Sequence, residues 1–163
     1  MSETGKPNGD SPPAGQPAQA QIQILGQYVK DLSFENPAAP MANTTSRPEI
    51  DLGVDLQARP LDKDRFEVEL KLRVSAKADG KPLFMLELVY AGLILVQSAP
   101  ADYLTQILLI DVPHLIFPFA RRIVADAIRD GGMPPLMIEP IDFAAIYRAK
   151  AAEGQMRTMP VTA

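Results

Sequence analysis

The chain has 163 residues, with 16 Lys and Arg against 20 Asp and Glu, one His and no Cys. The absence of cysteine excludes a disulfide framework, a thiol nucleophile, and thiolate sites for zinc or iron–sulfur clusters. A net charge of −4 argues against general nucleic-acid binding, and 47% hydrophobic with 22% charged residues predicts one globular domain.

Both ends of the chain have the composition of disordered segments. Residues 1–20 are rich in Pro and Gly and, apart from Met1, contain no large apolar residue. They cannot bury enough surface to offset the cost of ordering. We expect a disordered N-terminal tail over 1–20 and a flexible C-terminal tail over 153–163, on either side of a domain over 21–152.

No segment of the chain predicts secretion or membrane insertion. Residues 1–20 lack the apolar core of a signal peptide. The longest apolar stretch, Leu83–Val96, is too short to span a bilayer. Together with the lack of cysteine, these features predict a cytoplasmic protein.

Period-2 alternation of apolar and polar residues predicts strands in the first half. It begins at Ile22–Ile24, returns at Ile50–Leu56, and is clearest at Phe66–Val74, where charged residues occupy the alternate positions. The Asp-Gly pair within Ala78–Lys81 predicts a hairpin turn. The strand that follows, Leu83–Val96, is apolar on both faces.

The second half changes to a helical period. Asp102–Asp111 predicts a helix that Pro113 ends or kinks. A second helix is expected to begin near Pro118 and to end at Gly131-Gly132, and Asp142 is a suitable N-cap for a third. Strands followed by helices predict an α+β fold, with helices packed on one face of a four-stranded antiparallel sheet.

The middle of the chain has more apolar surface than this layout can cover. No Lys or Arg occurs from Pro82 to Ala120, and helices cover only one face of a sheet. The simplest explanation is burial against another subunit or a ligand. We therefore predict an oligomer.

The sequence offers no catalytic, cofactor or metal site. His114 is the only imidazole, and its apolar neighbours favour a packed or half-exposed residue over a general base. No phosphate loop or dinucleotide fingerprint is present.

One pair of carboxylates, Glu67 and Glu69, has a spacing that could suit catalysis. Glu67 and Glu69 share a strand face and would stand about 7 Å apart, within the range of an inverting glycosidase pair. Three cations share that face, however: Arg65, Lys71 and Arg73. A solvated, charge-balanced face is the favoured interpretation.

Two further groups of acidic residues remain. Asp31 and Glu35 lie on one side of an extended segment, and Met85 shares a strand face with Glu87. From spacing alone, solvation of Asp31 and Glu35 and protection against aggregation by Glu87 are the favoured interpretation, ahead of partner binding.

Four short segments of the chain form a recognisable set. Lys30–Pro37 has the sequence KDLSFENP, and Leu115–Arg121 has the sequence LIFPFAR. Met133–Leu136 is MPPL, and Pro140–Phe143 is PIDF. In this order they resemble the segments K-D-[IL]-S-F-E-x-P, I-L-F-P-[YF]-A-R, F-P-x-L and P-[VI]-[ND]-F of the SecB family, the export chaperones of Gram-negative bacteria. The resemblance is colinear from about Ile22 to Lys150.

The resemblance implies both architecture and function. It implies a four-stranded antiparallel sheet with helices on one side, assembled as a homotetramer that is a dimer of dimers. It also implies an ATP-independent holdase, not an enzyme, that binds unfolded preproteins and passes them to the SecA motor. The motor-binding surface of the family maps onto Asp31, Glu35, Met85 and Glu87. His114 stands where the family often has Asn, and the C-terminal tail is not acidic.

A holdase needs a long apolar groove. One buried apolar side chain contributes about 1.5–3 kcal/mol, whereas association costs roughly 4–15 kcal/mol. The candidate groove residues come from the first strand and the last helix: Ile22, Ile24, Leu25, Phe143, Ile146 and Tyr147. The same residues could equally form core or subunit interface.

Two competing functions make different predictions. A small hydrophobic-ligand-binding α+β protein would carry a bound lipid or cofactor and would be a monomer or dimer. A hydrolase would show turnover that depends on Glu67 or Glu69.

Overall fold

The computed structural model describes residues 19–40 and 45–154. These residues form four strands and then three α-helices: β1 (Gln21–Glu35), β2 (Glu49–Pro60), β3 (Arg65–Ala78), β4 (Lys81–Gln97), α1 (Ala101–Gln106), α2 (Val112–Asp130) and α3 (Phe143–Ala152). The tails expected over 1–20 and 153–163 lie almost entirely outside the described residues.

The strands form one antiparallel sheet in the order β1-β4-β3-β2. Strands β2, β3 and β4 follow one another as a meander, and β1 pairs with the far side of β4, so β1 and β2 are the edges. Asp79 and Gly80 join β3 to β4 with φ angles of 52° and 73°. A turn with two positive φ angles matches the twist of the strands, so the hairpin prediction is confirmed.

The two faces of the sheet differ in chemistry. The core face, which packs on the helices, carries the buried residues of β3: Phe66, Val68, Leu70, Leu72 and Val74. Helix α2 contributes the buried residues opposite: Ile116, Ala120, Val124 and Ile128. The outer face is the opposite side of the sheet and carries the alternate residues of β3, among them Glu67, Glu69, Lys71 and Arg73. The predicted α+β class, with helices on one face of the sheet, is confirmed.

The predicted break between the first two helices is wrong. Helix α1, a π-helical segment (Ile107–Asp111) and α2 follow one another without interruption. Pro113 is the second residue after the π-helical segment and has no N–H to donate to the preceding turn of this continuous helix. Pro118 lies inside α2 and cannot donate to the carbonyl of His114. The packing of the buried helix face on the sheet offsets the cost of this missing hydrogen bond.

The predicted helix ends are confirmed. Gly131 caps the C-terminus of α2, and Gly132 follows with a φ of 83°. The Asp142 carboxylate accepts a hydrogen bond from the Ala145 backbone N–H at 2.9 Å, and so caps α3. Within the described part of the chain, no helix combines the length and apolarity that crossing a membrane requires.

Candidate functional site

The structure brings four of the predicted site residues together on the outer face. They form an acidic patch, defined as Asp31 and Glu35 of β1 with Met85 and Glu87 of β4. The cross-strand neighbours are Glu35 with Met85, Ser33 with Glu87, and Asp31 with Val89. Side chains directly opposite one another have Cβ atoms about 4.5–5.5 Å apart, so the patch is contiguous. Met85 lies at one end of the patch, opposite Glu35, and is 47% exposed, an accessible apolar side chain beside carboxylates.

The carboxylate of Glu87 is paired with cations of the neighbouring strand. Lys71 Nζ lies 2.7 Å from Glu87 Oε1, and Arg73 Nε lies 3.4 Å from Oε2. The hydrogen bond from Lys71, with a smaller contribution from Arg73, lowers the pKa of Glu87 below its ordinary value. The patch therefore holds three carboxylates, and two cations of β3 border it on one side.

A buried carboxylate lies further along the outer face. Glu67 is only 5% exposed. The Tyr28 hydroxyl donates a hydrogen bond to it, Lys30 Nζ lies 3.0 Å from its Oε1, and Arg59 Nη2 lies 2.7 Å from the same oxygen. Lys30 also donates to Glu69. These five residues are called the Glu67 cluster below.

The environment of Glu67 differs from the solvated face that the sequence predicts, because its carboxylate is buried and hydrogen-bonded. Burial alone would raise the pKa of Glu67, but the hydrogen bonds from Tyr28, Lys30 and Arg59 outweigh it and lower the pKa to about 2. A carboxylate that stays ionised at neutral pH cannot donate the proton that a glycosidase acid must supply. Glu67 therefore does not suit the role of general acid in a glycosidase pair, and its burial leaves little of its carboxylate open to a substrate.

Two β-bulges in β1 explain why the sequence pattern missed the Glu67 cluster. The register with β4 shifts between Ile24 and Gly26, and again between Val29 and Asp31. Each extra residue changes the face to which the following side chains point. Simple alternation from Ile24 would place Tyr28 on the core face, whereas the first bulge turns it to the outer face.

The predicted groove residues lie at opposite edges of the sheet. Ile22 and Ile24 are half-buried against the core at edge strand β1, and Leu25 is the exposed bulge residue. Helix α3 lies near the other edge, where Lys150 forms an ion pair with Asp55 of β2. The two sets of residues do not form one groove within a single chain.

Phe143 is a correction to the predicted groove. Its side chain is 0% exposed, and its ring packs edge-on against His114 and Phe117, with centroids 5.0 and 5.9 Å apart. It is a core residue because it is the first residue of α3 and anchors that helix to α2. Ile146 and Tyr147 remain half-buried. His114 is exposed, but its ring packs on Phe143, so it is less buried than the packed or half-exposed residue that the sequence predicts.

The comparisons with known proteins agree with this architecture. The sequence model of the family "SecB: Preprotein translocase subunit SecB" matches residues 15–154. A protein-export protein SecB of Zymomonas mobilis is 48% identical over 83% of this chain and 84% of its own length. One of Xanthobacter autotrophicus is 47% identical over 86% of this chain and 92% of its own length.

A solved structure shows the same fold at low sequence identity. It is a SecB-like chaperone of Mycobacterium tuberculosis in complex with a ChAD peptide from the HigA1 antitoxin. The TM-score is 0.58 at 17% identity, over 76% of this chain and 91% of that chain.

The fold and the relatives define the class of the protein as a chaperone of protein export. The match of the family sequence model covers most of the chain, and the relatives match over nearly their whole length. The chain belongs to the SecB family.

Proposed function

We propose that the protein is an ATP-independent holdase that does not act as an enzyme. It binds unfolded preproteins in the cytoplasm, keeps them competent for translocation and delivers them to SecA. It works as a homotetramer, a dimer of dimers. The observation that carries this proposal is the acidic patch, because the family-derived positions Asp31, Glu35, Met85 and Glu87 lie side by side on one exposed face.

The acidic patch supports binding of a basic partner surface. Charges at the rim of an interface steer and orient a partner more than they add affinity. Met85 offers a flexible apolar contact at one end of the patch, of the kind that adaptable binding surfaces use. The patch is therefore suited to docking the motor in one orientation.

The exposed apolar residues of β1 support binding of unfolded clients. Leu25, Val29 and Leu32 are exposed at the sheet edge, where an extended peptide can contact both side chains and backbone. Ile22 and Ile24 lie beside them, and Ile146 and Tyr147 lie near the opposite edge. A groove that uses both sets requires a second copy of the chain, which agrees with the proposed oligomer. The peptide complex of the M. tuberculosis protein supports peptide binding by this fold.

Native mass spectrometry with a chemically unfolded secretory precursor, without nucleotide, tests the holdase proposal. We expect a mass of four chains that gains the unfolded precursor and does not gain the same precursor once folded. A monomer that ignores the unfolded precursor and carries a bound lipid would instead establish the small-ligand binder.

Charge reversal at Glu87 tests the division between motor and client binding. Glu87→Lys places a like charge opposite a basic partner, so we expect SecA binding to weaken about tenfold or more at low salt. Client binding should persist. Glu139→Lys is the matched control, because Glu139 is exposed and lies outside the sheet. Equal loss of both activities in Glu87→Lys, or of neither, would contradict the proposal.

A further inference from the structure

Two cations of β3 occupy the carboxylate of Glu87 in the acidic patch. Lys71 Nζ lies 2.7 Å from Glu87 Oε1, and Arg73 Nε lies 3.4 Å from Glu87 Oε2. Each carboxylate oxygen therefore has a cation of the same chain beside it. One negative and two positive groups together carry a net charge of +1. A basic partner that approaches Glu87 meets an excess of positive charge.

The strand register places these cations beside Glu87. Arg73 lies directly opposite Glu87, and Lys71 lies opposite Val89, the next residue of β4 on the same face. Cβ atoms of directly opposite residues are about 4.5–5.5 Å apart, and diagonal neighbours are about 7–8 Å apart, within reach of long side chains. The pairing with Glu87 therefore follows from the fold of the sheet.

The other two carboxylates of the acidic patch are not paired in this way. Among the residues that the structure describes, no Lys or Arg forms an ion pair with Asp31 or Glu35. Both side chains are exposed. The β1 residue opposite Glu87 is Ser33, which is uncharged. The patch thus offers two open carboxylates and one that is occupied.

The ion pairs of Glu87 lie at the surface, where they can be exchanged. The side chains of Glu87, Lys71 and Arg73 are 40%, 31% and 58% exposed. Exposed ion pairs contribute little net stability, because water solvates the separated charges well. Lys71 also lies directly opposite Asp55 of β2, so a second carboxylate is within reach when it leaves Glu87. Replacing Lys71 at Glu87 with a cation from a partner therefore costs little.

We propose that Lys71 and Arg73 are specificity-determining residues: they compete with the basic surface of the motor for Glu87, and so weaken motor binding. A partner that also engages Asp31 and Glu35 can displace them, whereas a ligand with a single positive charge gains little at Glu87. The two cations thus select a partner that brings several basic groups. This inference rests on the proposed function in naming SecA as that partner.

Neutral variants of the two cations test the competition. A titration of SecA at low salt should show about threefold tighter binding for Lys71→Met, and about fivefold or more for Lys71→Met combined with Arg73→Met. Misfolding would weaken binding, so it cannot explain a gain. Lys77→Met is the matched control, since Lys77 is exposed on the same face of β3 and is not among the described cations that pair with Glu87. It should bind within about twofold of wild type.

A double-mutant cycle separates competition for Glu87 from the general electrostatic field. Removing any positive charge near an acidic patch favours a basic partner. If Lys71 acts through Glu87, the gain of Lys71→Met should disappear in a Glu87→Gln background. A gain of equal size in that background would show that Lys71 acts only through the field, and would overturn the inference. Where wild type binds SecA, unchanged or weaker binding by Lys71→Met would overturn it as well.

The pairing itself can be measured without SecA. The hydrogen bond from Lys71 is the main cause that lowers the pKa of Glu87. In an NMR titration of the Glu87 side-chain carboxyl carbon, Lys71→Met should therefore raise this pKa toward its ordinary value, and Lys77→Met should not. An unchanged pKa in Lys71→Met would show that Lys71 does not occupy Glu87 in solution, and the inference would be wrong.

A decalysine peptide distinguishes failure of this inference from failure of the proposed function, because it offers several cations without the structure of the motor. Wild type that binds no SecA would show that the proposed function is wrong. The competition still stands in that case if Lys71→Met binds decalysine more tightly than wild type does and the gain disappears with Glu87→Gln. If Lys71→Met gains affinity for neither SecA nor decalysine, the competition is wrong.

Discussion

At the scale of single residues, Glu67 connects strands that are not neighbours. Its carboxylate on β3 receives Tyr28 and Lys30 from one edge strand and Arg59 from the other. An ionised group removed from water is stable only when such donors surround it. The Glu67 cluster therefore ties both edges of the sheet to its centre.

Glu67→Gln tests this role through its pH dependence. We expect the variant to lose about 1.5–3 kcal/mol of unfolding free energy at pH 7, the contribution of hydrogen bonds to a charged group. The pKa of Glu67 is lowered from 4.5 to about 2 on folding. Its stabilisation is present above the unfolded pKa and is lost as the pH falls toward the folded pKa.

Urea unfolding at several pH values provides the measurement. The difference between wild type and Glu67→Gln should shrink as the pH falls from about 5 to about 3. Glu69→Gln is the control, since Glu69 is less buried and should show a smaller difference. A difference that does not change with pH would show that Glu67 stabilises through packing and not through its charge.

The residue scale also shows what the sequence can predict. The alternation of β3 correctly places Glu67, Glu69 and Lys71 on one face. It does not reveal Tyr28 and Lys30 as partners, for two physical reasons. Bulges change the face without a strong local signal, and the pairing of β1 with β4 is a long-range contact that no alternation encodes.

At the scale of elements, the end of α2 packs against the end of β1. A Cβ atom on Gly131 would lie 2.5 Å from Phe34 Cε1, closer than any side chain tolerates. Asn36 Nδ2 donates to the Gly131 carbonyl at 2.8 Å. This glycine is required by the close approach of Phe34 and not by its backbone angle, which is an ordinary φ of −75°.

Gly131→Ala should therefore destabilise the protein. The added methyl group must displace the Phe34 ring, at a cost of about 1–3 kcal/mol. Gly26→Ala is the control, because nothing lies within 4 Å of its added Cβ, and alanine there should be neutral or slightly stabilising. Thermal unfolding of both variants checks the prediction, and equal melting temperatures would contradict it.

The helices show where sequence rules based on single capping residues and prolines succeed and where they fail. Gly131 and Asp142 end and begin helices as the sequence predicts. Pro113 and Pro118 do not interrupt α2. The cost of one proline is local, whereas the buried face of a long helix gains stability along its whole length. A rule that considers each proline separately cannot compare its local cost with the stability gained along the whole buried face of the helix.

At the scale of the whole molecule, the helices present apolar side chains that the sheet does not cover. Tyr103, Leu115 and Phe119 are all exposed. Leu115 and Phe119 lie four residues apart in α2 and so share one face of that helix. Exposed apolar side chains grouped in this way support the proposed homotetramer.

Leu115→Lys tests this assembly. A charge on an apolar interface should lower the mass observed by native mass spectrometry from four chains to two or one, because its desolvation is costly. Leu61→Lys is a matched control, as Leu61 is equally exposed, 47% in both cases, but lies in the turn between β2 and β3. It should leave the mass unchanged. A tetramer in Leu115→Lys would place the interface elsewhere.

The strand order has a consequence for biosynthesis. Strand β1 is the first strand to be translated and pairs only with β4, which is the last of the four strands to be translated. During translation, Glu35 cannot pair until Met85 has been made, and Gln21 cannot pair until Gln97 has been made. Strands β2 and β3 can form their local hairpin earlier. Contacts between distant segments close late, because they order a long loop of chain. The acidic patch is therefore complete only on a chain whose translation has passed β4, and a nascent or truncated chain lacks the surface that is proposed to bind the motor.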